Sequence, residues 1–107
     1  MYKSYDWRVT FMQDGDFVWD DDKAIRNWHD HGVSFEMARD AFKDPFAIEW
    51  IDRAQDPDEE RCAMIAMVES RLLFVAYTLR EEQIRIISAR GAEPYERRKY
   101  HEENRQA

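Results

Sequence analysis

With 107 residues, of which 44% are hydrophobic, the chain can build one modest core but not two. Its formal net charge of −7 excludes broad, sequence-independent binding to nucleic acid, which rests on neutralising phosphates. A single cysteine excludes an intrachain disulfide and suits a reducing compartment, and no apolar run approaches the ~20 residues that span a bilayer. The charge is uneven: from Arg80 onward seven Lys/Arg face six Asp/Glu, whereas nine face seventeen before it. A small basic pocket near the C-terminal strands suits that balance, and a large basic surface does not. The reading is a soluble, cytoplasmic protein with one domain over residues 1–107, residues 1–16 forming an N-terminal extension.

Taken in order, Tyr5, Trp7, Val9 and Phe11 alternate with polar residues, the period of a strand. A turn at Asp14-Gly15 would lead it into Phe17-Val18-Trp19. Asp20, Asp21 and Asp22 suit the positive end of a helix running to about His31, with Gly32 as the left-handed residue after it. Ala24, Ile25 and Trp28 make its predicted apolar stripe, and Lys23, Asn27 and His31 a polar line beside that stripe. Ser34 caps a second helix with Phe35, Ala38 and Phe42 on one face, and Asp44-Pro45 ends it.

Phe46–Ile51 is a predicted strand, Asp52–Glu59 an exposed acidic turn, and Glu60–Val68 a further strand. Leu72–Leu79 and Ile84–Ala89 are rich in β-branched and aromatic residues and are joined by a short polar turn. They predict a hairpin, apolar on both faces and therefore central in a sheet. Gly91-Ala92-Glu93-Pro94 breaks the sheet, and Pro94 opens a last helix to about Asn104, with Tyr95, Lys99 and Tyr100 as inner contacts. Short connections between strands predict an antiparallel β-sheet with two N-terminal helices packed on it and a C-terminal helix, an α+β fold. The acidic loops lack the His/Cys spacing of a zinc site and the EF-hand pattern, so no metal and no cofactor is expected.

The residues also carry a resemblance. Phe17-Val18-Trp19-Asp20, Lys23, Asn27 and His31-Gly32-Val33-Ser34-Phe35-Glu36 resemble the opening of the BrnT family of bacterial toxins. Ala38, Phe42, Asp44-Pro45, Glu60-Arg61, Arg71-Leu72-Leu73, Tyr77-Thr78, Arg85–Arg90, Glu96-Arg97 and Tyr100 continue it. The resemblance implies a RelE-like fold, with helices on one side of the sheet and the other side partly open. It implies a metal-independent endoribonuclease that cuts RNA and arrests growth. It also implies a small ribbon-helix-helix (BrnA-like) antitoxin that neutralises the toxin in a hetero-oligomer, with two copies of each chain as one arrangement, and alone of the pair binds promoter DNA.

Metal-free RNA cleavage uses the 2′-hydroxyl as nucleophile, so the protein must stabilise the added negative charge on phosphorus. Arginine suits that task because its planar fork matches phosphate oxygens. Arg85 and Arg61 are the first candidates, with Arg90 third. Arg90 has the opposite parity to Arg85, so the two share a face only if a bulge intervenes. Lys23, His31, Tyr77, Arg97 and Arg98 are candidates for binding substrate, each with an ordinary structural role as its alternative. A module that keeps the antitoxin surface but has lost cleavage is the competing reading, favoured by the net acidity.

Overall fold

The structure is a computed structural model, and it describes residues 11–14, 16–52, 60–80 and 82–105. Strand β1 spans Phe11–Asp14 and β2 Phe17–Asp20; helix α1 is Asp21–His31 and α2 Phe35–Asp40, the latter followed by a 3-10 turn at Ala41–Lys43. Then come β3 (Ile48–Asp52), β4 (Arg61–Val68), β5 (Arg71–Arg80), β6 (Gln83–Gly91) and helix α3 (Pro94–Arg105). The expected strand at Tyr5–Phe11, apart from Phe11, and most of the acidic turn lie outside the described residues.

The local chemistry accounts for the elements. Asp20 caps α1 by accepting the backbone N–H of Asp22 at 2.8 Å, and Gly32 ends it at φ 66°, donating to the Trp28 carbonyl at 2.9 Å. Ser34 caps α2 by accepting from the Met37 N–H at 3.0 Å. Pro94 stands at the first position of α3, where its missing N–H matters least.

The six described strands lie in the order β1-β2-β6-β5-β4-β3. From β3 to β6 each strand runs antiparallel to the last, and the predicted hairpin sits inside the sheet. The sheet as a whole is mixed rather than purely antiparallel, because β2 pairs in parallel with β6 at Phe17–Ile84 and Val18–Arg85. Connectivity explains the correction. The chain leaves β2 through two helices, re-enters at the far edge, and after three reversals meets β2 running in the same direction.

Helices cover both faces, which corrects the expectation of helices on one side only. On one face, α1 and α2 cover a core of Trp19, Val33, Phe35, Ala38, Met64, Leu73, Val75, Tyr77, Ile86 and Ala89. On the other, α3 rests its Tyr100 on Ile65 and Leu72, flanked by Ile48, Trp50, Met67 and Phe74. Alternation along the strands produces this division.

Two helix faces differ from prediction. Ile25 and Trp28 of α1 are 67% and 59% exposed, while the buried residue of that helix is Asn27. Its amide donates to the carbonyls of Val33 (2.9 Å) and Ala89 (2.8 Å) and accepts from the Ala89 N–H (3.1 Å). A polar residue thus takes the inward position and turns the bulky apolar ones outward. In α3 the inward pair is Glu96 and Tyr100, and Tyr95 is 58% exposed. Strand β3 starts at Ile48 rather than Phe46, whose N–H is held at 2.9 Å by Asp44 in a turn.

Candidate active site

The register of β4, β5 and β6 aligns residues that are far apart in sequence. Thr78 is the partner of Arg61 on one side and of Arg85 on the other. Partners across a sheet point to the same face, so both arginines flank Thr78 on the face that carries α3. Their Cα atoms stand about 10 Å apart across the intervening strand. Thr78 is 2% exposed, and its Oγ1 has no hydrogen-bond partner among the described residues. Its short side chain keeps the middle of the row low, so two long cations can converge above it. Arg80, paired with Gln83, shares that face two residues further along β5. Arg61, Arg80 and Arg85 are half-buried, and each already interacts with neighbouring groups.

Arg90 reaches the same face because of one irregularity. Ser88 pairs with Ala76 but Ile86 with Tyr77, which leaves Ile87 as an extra residue in β6. The bulge resets the alternation, and Arg90 lies opposite Phe74, with its guanidinium 4.3 Å above that ring. It stands about 13 Å along the sheet from the Thr78 row. Its fork is filled by Glu96, with Nη1–Oε1 at 2.9 Å and Nη2–Oε2 at 3.0 Å. Glu96 also accepts the Glu93 N–H at 2.8 Å, half of a capping box at the start of α3. Burial opposes ionisation of Glu96, but the hydrogen bonds from Arg90 and the Glu93 backbone prevail and hold its pKa below the ordinary value.

A cleft of about 630 Å³ opens on this face between α3 and strands β3 to β5. Its lining includes Trp50, Asp52, Phe74, Arg90, Tyr95 and Lys99. Asp52 is the register partner of Arg61, so the cleft borders the arginine row. Among the described residues no three His, Cys, Asp or Glu side chains group as a metal ion requires, and no helix is long and apolar enough to cross a membrane.

The family model described as "Ribonuclease toxin, BrnT, of type II toxin-antitoxin system" matches residues 19–96. The chain belongs to the BrnT family. Membership makes it a type II ribonuclease toxin, with RNA as substrate and an antitoxin as partner. Among curated proteins none matches the chain.

Not every candidate joins the arginine row of this BrnT chain. Tyr77 faces the α1/α2 side, buried, with its ring 4.9 Å from that of Phe42 and its hydroxyl donating to Glu49 at 3.3 Å. Burial first, then the Glu49 charge, pushes its phenol pKa up. Lys23 and His31 are exposed on α1, on that same side of the sheet. His31 adjoins Gly32, whose carbonyl accepts from Arg71 at 3.4 Å. Arg97 and Arg98 are exposed on α3, and Arg97 donates to the Ala92 carbonyl at 2.7 Å. Sequence reasoning missed Thr78 and Arg80; their parity with each other in β5 was the available signal.

Proposed function

We propose that this BrnT chain is a cytoplasmic, metal-independent endoribonuclease of RelE-like architecture, with Arg61 and Arg85 gripping the scissile phosphate. The observation that carries the reading is their common register partner, Thr78, which puts both arginines on one face of the sheet. The substrate's 2′-hydroxyl gives up its proton as it bonds to phosphorus, the bond to the 5′-oxygen breaks, that oxygen takes up a proton and departs as a hydroxyl, and a 2′,3′-cyclic phosphate remains. Charge builds on the phosphoryl oxygens during attack, and cations fixed beforehand stabilise it most in the transition state. Arg90, whose fork is filled by Glu96, acts as a positioning residue that pins α3 beside the site. Arg97 and Arg98, exposed on α3, contact the RNA backbone or the antitoxin. The antitoxin is a small ribbon-helix-helix protein that covers the toxin in a hetero-oligomer.

Induced expression without antitoxin tests this. Growth arrest is expected, and Arg61→Ala or Arg85→Ala relieves it while the melting temperature stays near that of the parent. The purified protein cuts RNA in the presence of EDTA and leaves cyclic phosphate ends. Either substitution lowers kcat by about 10²–10³-fold. Equal toxicity of the variants refutes the assignment. A non-catalytic antitoxin-binding module is the second reading, favoured by the net charge of −7. Harmless expression of folded protein with tight copurification of a small partner selects it.

A further inference from the structure

We infer that the cleft beneath α3 is the subsite for a base adjoining the phosphate at Arg61 and Arg85, and that it selects a base bearing an exocyclic amino group. The inference rests on the ribonuclease reading and names what the same site recognises.

Position is the first argument. Trp50 and Asp52 are successive same-face residues of β3, and Asp52 is paired with Arg61. The cleft and the arginine row are therefore continuous. Between that row and the row of Ile65, Phe74 and Arg90 lie only Ala63, Ala76 and Ser88 beside Trp50. Those small side chains leave a low floor about 7 Å wide, over which a sugar can pass from the phosphate into the cleft.

Shape is the second. Trp50 and Phe74 stand with ring centroids 5.9 Å apart at 59°, over an apolar base of Ile48 and Ile65. Tyr95 is 58% exposed at the cleft although its helix buries Tyr100 five residues on. Exposed aromatic surface beside a phosphate grip is the usual platform for an unstacked base.

Charge is the third. Toward the cleft the lining turns Asp52, Glu96 and Glu103 and the cations Arg90 and Lys99; Glu96 and Arg90 offset each other, which leaves Asp52 and Glu103 against Lys99, while Glu49 alternates to the other face and accepts from Tyr77. Such a lining repels a second phosphate and admits an uncharged base. Asp52 and Glu103 offer carboxylate oxygens to an amino group, which adenine, cytosine and guanine carry and uracil lacks. Glu103, 3.9 Å from Lys99, is the carboxylate on α3 placed to do so.

The test uses the full chain and a short oligoribonucleotide containing one mapped cut. An abasic residue or a uracil replaces each base flanking that cut in turn. At one of the two positions the abasic substrate is expected to raise KM about tenfold with kcat little changed, as loss of uniform binding does. Tyr95→Ala raises KM similarly on the parent substrate and adds nothing on the abasic one, while Tyr95→Phe restores the parent value. If Arg61→Ala abolishes cleavage but abasic substrates at both positions are cut like the parent, the base site is refuted and the nuclease stands. If Tyr95→Ala and Trp50→Ala spare cleavage but prevent antitoxin binding, the cleft is a protein dock and the inference falls. A second readout does not need turnover. Adenosine 5′-monophosphate is expected to shift the Trp50 indole NMR signal at millimolar concentration more than uridine 5′-monophosphate does, and equal or absent shifts overturn the inference.

Discussion

Replacing Asn27 by Ala removes a polar side chain that ties α1 to the sheet. Three hydrogen bonds disappear, to Val33 O at 2.9 Å, to Ala89 O at 2.8 Å and from Ala89 N at 3.1 Å. Each is worth about 1 kcal/mol net, and the orphaned Ala89 N–H, deep in the sheet, adds a desolvation penalty of about 1 kcal/mol or more. The expected destabilisation is therefore about 4 kcal/mol, a large fraction of the ~5–15 kcal/mol a domain of this size has. Equilibrium unfolding in urea measures it. With a slope of about 1.5 kcal/mol per molar, the midpoint drops by about 2.7 M. Asn27→Asp separates the bonds, because it keeps an acceptor for the Ala89 N–H but sets carboxylate oxygens against two carbonyls. At neutral pH it is expected to be at least as damaging as Ala, with partial recovery in acid where the carboxyl regains a donor. A midpoint within about 0.3 M of the parent for Asn27→Ala refutes the reasoning, since no solvent-exposed amide explains three lost bonds.

Three further outcomes follow from other contacts. Glu96→Gln strands the half-buried Arg90 charge and is expected to lower stability by about 3 kcal/mol at pH 7. Because the folded pKa of Glu96 lies below its ordinary value of 4.5, this contribution is complete above that value and disappears as pH falls through the lowered one. Acid titrations of stability for parent and variant should thus converge at low pH. Tyr100, buried and donating to Asp44 at 2.8 Å, has its pKa pushed from 10.0 up to about 12 by burial and that bond. Its contribution is complete below pH 10 and fades as pH rises through about 12, so Tyr100→Phe should flatten the alkaline limb of the stability curve. Trp28→Gln and Ile25→Gln, both at exposed positions, should change stability by less than about 0.5 kcal/mol in the same urea assay.

Much of the architecture was legible because it depends on local signals. The acidic helix start at Asp20–Asp22, the cap at Ser34, the left-handed Gly32, Pro94 and the β5–β6 hairpin each announce themselves within a few residues. What escaped depends on contacts distant in sequence. The parallel pairing of β2 with β6 joins positions 67 residues apart, as at Phe17 and Ile84, and no period encodes it. The outward turn of Trp28 follows from Asn27 finding Ala89, a partner 62 residues away. At the site, parity grouped Arg85 with Ile87, yet Arg85 instead faces the α3 side with Arg61 and Thr78. Only register reveals that alignment, and only the folded chain brings Glu96 to the fork of Arg90.

The extra residue at Ile87 divides β6 into two halves that keep different time. The half before it is phased to the arginine pair, and the half after it is phased to the clamp that anchors α3. Losing one residue between Ile86 and Ala89 would throw Arg90 under the other helices or Arg85 away from its companion, whichever half moved. That short stretch is therefore indispensable in length even where its side chains are interchangeable. Substitution there is a question of packing, whereas deletion uncouples the grip on phosphate from the helix that walls the adjoining cleft.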